Sequence, residues 1–298
     1  MALKASVAVI TYNSGETIQD CLRSILNQDI PRSEYEVMVV DSGSIDGTTE
    51  IVRSKPDVRL IVDERKGRGL ARNIAIRNAK AGIVAFIDAD CIAAQDWLRT
   101  HIEVLNEKSL AALGGAVLFP PRSSWLIRMQ HHLYFGGLER EKAAVTWDLA
   151  TCNISFLRQP LEKIGFFDDA VHQGEDTLLC WKLVENGYQV GFHPGPKVTH
   201  LYKDMTLSDF LRLKRRDGST DYNLQLLFRG KGPYRLPVGR INVFLLSPLL
   251  FTARVVRYAS KIKSTSGVLT ALGALGHLVL ASGYWVIGYL DASRRRTQ

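Results

Sequence analysis

Residues 83–90 read IVAFIDAD, and the way that run breaks decides how the chain is built. Five apolar residues in succession match a strand buried on both faces, the kind found in parallel sheets covered by helices. The run stops at Asp88, and Asp90 follows one residue later. A carboxylate pair mounted on a strand end suits Mg²⁺ or Mn²⁺, which prefer hard oxygen ligands completed by substrate phosphates. A solvated turn would carry the same residues; it is the position directly after an apolar strand that favours the metal.

The pattern repeats upstream. Residues 6–11 (SVAVIT) run into Thr11-Tyr12-Asn13, and residues 36–40 (EVMVV) run into Asp41-Ser42-Gly43-Ser44. Residues 58–62 read as a further short strand. Between the strands lie helical segments at 15–26, with Ile18, Leu22, Ile25 and Leu26 on one face, at 48–54 and at 69–79. Strands alternating with helices predict an α/β fold, a mainly parallel sheet with helices on both faces. In open sheets of this class ligands bind beyond the C-terminal strand ends, where these polar clusters gather.

After Pro120-Pro121 the alternation weakens. Residues 124–134 mix apolar and basic side chains, 151–156 and 189–192 read as strands, and 176–185 as a helix closed by Gly187. Glu175 and Asp176 stand at the start of that helix. Acids there satisfy the helix dipole, and either could equally serve as a general base that takes a proton from an attacking hydroxyl. His200 is a packed residue or a ligand. Arg215-Arg216 is a solvated basic face or a bidentate clamp for a diphosphate.

The bulk composition narrows the partners. The chain has 298 residues, room for one large domain or two modest ones, and carries 38 Lys+Arg against 30 Asp+Glu. The excess suits nucleotide phosphates or anionic lipid headgroups. Basic and aromatic residues are not interleaved, so no nucleic-acid partner is expected. Cys21, Cys91, Cys152 and Cys180 are scattered without a CxxC pair, which predicts neither a metal–cysteine site nor a disulfide framework. Met1-Ala2-Leu3-Lys4 lacks the layout of a signal peptide, so the catalytic part is expected in the cytoplasm.

From Leu236 onward the chain turns apolar, and a boundary is expected there. Residues 241–253 are interrupted by Pro248 and closed by Arg254, while residues 264–290 contain no charged residue. The latter stretch is long enough to cross a bilayer, which takes about 20 residues. Arg254, Arg257, Lys261 and Lys263 lie between the two stretches, and Arg294-Arg295-Arg296 follows. A helical hairpin entering one leaflet keeps every basic cluster on the cytoplasmic face, in line with the positive-inside tendency. Association with membrane lipids at that face is therefore expected.

In combination and order, these segments resemble the family 2 inverting glycosyltransferases of the GT-A fold. The likeness rests on SVAVITYNSGETIQDCLRSILNQ, VMVVDSGSIDGTTEIV, GRGLARNIAIRNAKAGIVAFIDADC, LGGAV and TCNISFLRQPLEKIGFFDDAVHQGEDTLLCWKLVENGYQVGFHPGPKVTHLY. It implies a catalytic domain over 1–235, with a nucleotide-binding half over about 1–115 and an acceptor half over 116–235, followed by a membrane-associated tail over 236–298. Thr11, Tyr12 and Asn13 would line the nucleobase and ribose pocket, Asp41 would read the base and Arg72 would sit near the phosphates. Asp88 and Asp90 would form the D-x-D metal motif, with His200 as a further ligand, and Asp176 would be the base with Glu175 as its understudy. The donor would be a UDP- or GDP-linked sugar, and the acceptor a lipid-linked or saccharide hydroxyl. Two departures stand out: Ser42 replaces the second acid of the usual pair, and the Q-x-x-R-W signature of processive synthases is absent, with Leu213-Lys214-Arg215-Arg216-Asp217-Gly218 near its place. The competing expectations are a nucleotidyltransferase, for which Tyr12-Asn13-Ser14-Gly15 is a poor phosphate loop, and a membrane-tethered binding module without transferase activity.

Overall fold

The apolar runs form strands. In the computed structural model, which describes residues 3–135, 144–146, 148–228, 236–266 and 268–295, the first part of the chain runs β1 (Ala5–Thr11), α1 (Ile18–Leu26), β2 (Tyr35–Asp41), α2 (Thr48–Arg53), β3 (Val58–Val62), α3 (Arg68–Asn78), β4 (Ile83–Asp88). It continues with β5 (Cys91–Ala93), α4 (Trp97–Lys108), β6 (Ala112–Leu118), α5 (Trp125–Phe135), β7 (Ala144–Val145), β8 (Asn153–Leu157), α6 (Arg158–Ile164), α7 (Glu175–Glu185) and β9 (Val190–His200). Four helices complete it: α8 (Leu207–Leu227), α9 (Arg240–Ser266), α10 (Val268–Gly273) and α11 (Leu275–Arg295). Met1, Ala2 and Arg296, which entered the expectations above, lie outside the described residues.

The strands form one sheet in the order β3-β2-β1-β4-β8-β6-β9-β5, with β7 on β9. β3, β2, β1 and β4 are mutually parallel, so Thr11, Asp41 and Asp88 arrive at one edge. In the remainder β6 and β9 are also parallel, while β8 is antiparallel to both β4 and β6, and β5 is antiparallel to β9. The sheet is therefore mixed. Its core joins Ala8, Val40, Val84 and Phe86 to Ile154, Phe156, Phe167 and Leu179, each fully buried or nearly so. Burying one such side chain is worth about 1.5–3 kcal/mol. Phe86, Phe156 and Phe167 meet edge to face at 6.1–6.2 Å, the arrangement that ring quadrupoles favour.

β9 is longer than its apolar residues suggest, because it continues through Pro194-Gly195-Pro196 to His200. A proline cannot donate to a ladder, and the register with β6 shifts between Gly114 and Ala116. The Asn153 amide spans that irregularity, donating to Ala116 O at 2.8 Å and Pro196 O at 3.0 Å. Gly115 lies where a Cβ would stand 2.1 Å from Pro196 O, so only glycine fits.

By its contacts the chain divides into two compact units, Met1–Pro120 with Leu138–Tyr202, and Pro121–Gly137 with Lys203–Gln298. The boundary expected at Leu236 lies inside the second unit. In that unit α8 and α11 meet backbone to backbone. A Cβ on Gly218 would stand 1.9 Å from Trp285 O, and one on Gly288 1.7 Å from Arg215 O. Trp285 and Tyr289 are buried there with Tyr222 and Val243.

The second unit also reassigns the apolar stretches of the tail. Residues 264–290 are divided between α9, α10 and α11 instead of forming one span, and α11 buries Leu278, Ala281, Trp285 and Tyr289. The helix long and apolar enough to cross a membrane is Ile241–Lys263, mean hydropathy 1.3. Pro248 sits inside it without ending it. The carbonyl that Pro248 leaves without its helical donor, Phe244 O, accepts from Ser247 Oγ at 2.8 Å. Two of the basic residues expected at headgroups face inward instead. Arg254 pairs with Asp221 at 3.0 Å over the Trp285 ring, and Lys261 donates to Leu133 O at 2.8 Å.

Candidate functional site

At the sheet edge where β1 and β2 end, the backbone is organised by side chains. Asn13 has φ +52°, a left-handed conformation that asparagine tolerates. Its N–H donates to Ser44 Oγ at 2.7 Å and its Oδ1 accepts from Ile45 N at 3.0 Å. Asp41 is buried, and its Oδ1 accepts from Gly43 N and Ser44 N at 3.0 and 2.9 Å, with Ser44 Oγ on the other oxygen. Its carboxylate therefore holds the loop in shape. Thr11 Oγ1 is buried with no hydrogen-bond partner among the described residues, and a group of that kind calls for an occupant of the site. Beside it the exposed Tyr12 ring carries Lys66 3.6 Å above its face, and Lys66 Nζ donates to Ser42 O at 2.8 Å. Lys66 was not anticipated; the basic run Arg65-Lys66-Gly67-Arg68 was its only trace in the sequence.

Arg72, expected near the phosphates, stands beside the D-x-D strand end. Its side chain is 3% exposed, rests over Phe167, and bonds through Nη1 to Glu175 Oε1, with Nη2 3.7 Å from Asp88 Oδ1. Burial alone would drive proton loss, but Asp88, Glu175 and Asp176 around it hold the guanidinium in its charged form. Arg72 thereby ties the end of β4 to the start of α7. Glu175, 3% exposed and bonded to Arg72, is closed to an acceptor, so its expected role as a substitute base has no access. Burial and the neighbouring Asp176 push its carboxyl up, and Arg72 opposes them.

Asp90 is turned away from that pair. The chain bends at Ala89-Asp90 after β4, and Asp90 keeps 42% of its side chain exposed, with His200 Nε2 3.8 Å from its Oδ1. The β5–β9 register sets His200 opposite Cys91, which makes this approach. His200 stacks on Tyr202 at 4.3 Å. Burial pushes the Asp90 carboxyl up, His200 opposes this, and Asp88 reinforces it. A half-exposed carboxylate beside an imidazole is a donor set that fits a divalent cation. The ligand atoms that converge are those of Asp90, Cys91 and His200, within 4.8 Å of one another, and Asp88 is not among them.

At α7, Asp176 remains partly exposed. Its Oδ2 accepts from Thr151 N and Thr151 Oγ1, both at 3.4 Å, and its Oδ1 from Thr177 N at 2.9 Å. Two long contacts leave lone-pair capacity for a substrate hydroxyl. Nothing in the sequence flagged Thr151. Arg215 and Arg216 belong to the second unit, where Arg215 forks onto Asp291 at 2.5 and 2.9 Å and Arg216 is exposed. The Arg215 guanidinium is committed to holding α8 on α11.

The profile described as Glycosyl transferase family 2 matches residues 6–165. The chain belongs to that family. Glycosyltransferase AglE of Haloferax volcanii is 30% identical over 210 residues, 66% of this chain and 69% of AglE. Poly(ribitol-phosphate) beta-N-acetylglucosaminyltransferase TarS of Staphylococcus aureus is 36% identical over 110 residues, 35% of this chain and 19% of TarS. In fold, the mannosyltransferase PcManGT from Pyrobaculum calidifontis, solved with GDP-Man and Mn²⁺, superposes with a TM-score of 0.68 at 21% identity, over 99% of this chain and 88% of that one. TarS 1–349 in complex with UDP-GlcNAc gives 0.55 at 21% identity, over 100% and 93%. The GT-A fold expected from the sequence is present, and this family 2 member is a glycosyltransferase.

Proposed function

We propose that this chain transfers a sugar from a UDP- or GDP-linked donor, with inversion, to a lipid-linked or saccharide hydroxyl at the cytoplasmic face of a membrane. The observation that carries this reading is Arg72, which joins the D-x-D strand end to the Glu175-Asp176 helix start and so unites a cation mount with a general base. Thr11, Tyr12, Asn13 and Asp41 shape the pocket for the nucleoside, with Lys66 on its rim. Asp90 and His200, with Asp88 behind them, would hold Mn²⁺ or Mg²⁺. When bound, that cation neutralises charge on the departing nucleoside diphosphate.

Asp176 takes the proton of the acceptor hydroxyl while the acceptor oxygen bonds to the anomeric carbon. The bond from that carbon to the diphosphate oxygen breaks in line, and its electrons leave with the nucleoside diphosphate. One displacement inverts the anomeric centre. The acceptor approaches from the membrane. Ile241, Phe244, Leu245 and Leu249 of α9 are each more than 60% exposed, an apolar face suited to lying in the interface of a bilayer. Membership of the family favours transfer over the binding-module and nucleotidyltransferase alternatives.

The test is a panel of nucleotide sugars with full-length protein, reading thermal shift with and without Mn²⁺ and then the anomeric configuration of the product by NMR. A Mn²⁺-dependent shift for one donor and an inverted product support the reading. A retained anomeric configuration, or shifts that ignore the metal, overturn it. Fractionation tests the membrane part: a full-length chain that washes off membranes at moderate salt without detergent is not embedded.

A further inference from the structure

Three cysteines distant in sequence meet beneath the D-x-D turn, and none of them has a part in the transfer just described. Cys21 Sγ donates to Asp88 O at 3.5 Å, Cys91 directly follows Asp90, and Cys152 is a neighbour of Cys91. All three are buried free thiols. Cys91 Sγ lies 3.9 Å from Asp90 Oδ1, the same oxygen that faces His200 Nε2 at 3.8 Å. All three ligand atoms fall within 4.8 Å of one another. In a tetrahedral zinc site, bonds of about 2.0 Å to oxygen and nitrogen and about 2.3 Å to sulfur set ligand atoms roughly 3.3–3.6 Å apart. Closing these atoms onto one ion therefore takes about half an ångström for the two pairs that include Asp90 and up to about an ångström between Cys91 and His200, within reach of side-chain rotation.

We propose that Asp90, Cys91 and His200 form a site for a thiophilic divalent cation, Zn²⁺ above all, whose occupancy inhibits the enzyme by withdrawing Asp90 and His200 from the transfer metal. The proposal rests on Asp90 and His200 being the mount for that metal. A carboxylate, a thiolate and an imidazole are a zinc donor set, and three protein ligands leave a fourth position for water or a phosphate oxygen. On binding, the Cys91 S–H bond breaks, its proton passes to bulk water, and the sulfur electron pair makes the metal–sulfur bond. No electron is transferred. The neighbouring Cys152 thiol is a weak donor that can hydrogen-bond to the sulfur that results, and partners of this kind stabilise a bound ligand. Zn²⁺ binds N/O/S sites more tightly than Mn²⁺ in the general order of divalent affinities, and a thiolate widens the gap.

Three measurements on the full-length chain test this. Titration with Co²⁺, the spectroscopic stand-in for Zn²⁺, should produce a thiolate-to-cobalt charge-transfer band that Zn²⁺ abolishes. X-ray absorption of the Zn²⁺-loaded wild type should show one sulfur neighbour at about 2.3 Å. Cys91→Ser should remove the band and weaken Zn²⁺ binding at least tenfold, while Cys152→Ser keeps the band. A first shell of oxygen and nitrogen alone in the wild type, or a band that survives Cys91→Ser, overturns the proposal. Should Cys91→Ser fail to fold, X-ray absorption on the wild type decides alone. The Mn²⁺-dependent shift with nucleotide sugars is read separately. If that shift is missing the transfer reading fails, whereas if it is present and insensitive to added Zn²⁺ the inhibitory role fails.

Discussion

The end of β4 and the start of α7 each present two carboxylates, and the pairs are handled alike. In each, one member lies against the buried Arg72, Asp88 at 3.7 Å and Glu175 in direct contact, and the other has a further partner of its own. Asp90 faces His200, and Asp176 rests on Thr151. Adjacent carboxylates cannot all stay ionised at low cost in a partly buried site. A central guanidinium offsets the inner members, and the outer ones stay partly exposed. The difference lies in what surrounds the outer member. Asp90 has an imidazole and a thiol, which are metal ligands, whereas Asp176 has a hydroxyl and an N–H, which orient a base. Similar acidic pairs thus take up distinct chemistry from their neighbours.

The comparison predicts different kinetic damage at its two ends. Asp90→Ala should reduce turnover by about a thousandfold or more, since a metal supplies several kcal/mol of transition-state stabilisation. It should also abolish the Mn²⁺-dependent part of donor binding, as read by thermal shift. Activity that persists in the mutant with chelator present removes the metal from the mechanism. Asp176→Asn should lower kcat by about 10²–10⁴ while donor affinity stays within about threefold, because a base acts on the acceptor in the transition state. Donor affinity falling with kcat unchanged would make Asp176 a helix cap instead.

Arg72→Met strikes both ends together. Stranding the buried Glu175 without its counter-ion should cost about 3–5 kcal/mol of stability in chemical denaturation. Adding Glu175→Gln should recover part of that loss, since one stranded charge is gone. A double mutant no more stable than the single one breaks the account of Arg72 as a shared counter-ion.

Smallest within the usual working range is the effect of acid on the polar network under the sheet. Asn153 donates through Nδ2 to two carbonyls, so its Oδ1 accepts, from Trp97 Nε1 at 2.8 Å and His101 Nε2 at 3.0 Å. His101 Nδ1 is then the acceptor for Ser155 Oγ at 2.7 Å, which fixes a neutral imidazole. Burial lowers its pKa to about 4. The unfolded chain therefore takes up the proton first as pH falls. Stability is full above about pH 6.5 and lost progressively towards pH 4, by about 3 kcal/mol in all. The slope should vanish in His101→Gln, measured by denaturation at several pH values. An unchanged slope would assign the acid sensitivity elsewhere.

The helical unit bears on truncation at the boundary expected at Leu236. Every residue of the proposed donor and catalytic site lies in the first compact unit, but a cut at Leu236 would strip α11 from Arg215, Gly218 and Tyr222 on α8. Such a fragment exposes core surface and should aggregate.

What the sequence determined by itself is the alternation from β1 to β4, the sheet edge where the polar clusters collect, and the identities of Asp90, Asp176 and His200 as candidates. These are local properties: an apolar run buried on both faces, a turn that follows it, a motif of fixed spacing. What only the tertiary structure decided came from residues far apart in the chain. Arg72 and Glu175 are 103 positions apart, and their pairing ties two site elements together. Cys91, Cys152 and His200 likewise come together only through strand pairing around the antiparallel part of the sheet. The tail followed the same rule. Composition marked residues 264–290 as the membrane segment, yet α11 buries Leu278, Trp285 and Tyr289, with two glycines letting its backbone touch that of α8, and the more fully exposed apolar residues lie on α9. Hydropathy measures what a side chain avoids, and only the packed neighbours decide whether protein or lipid covers it.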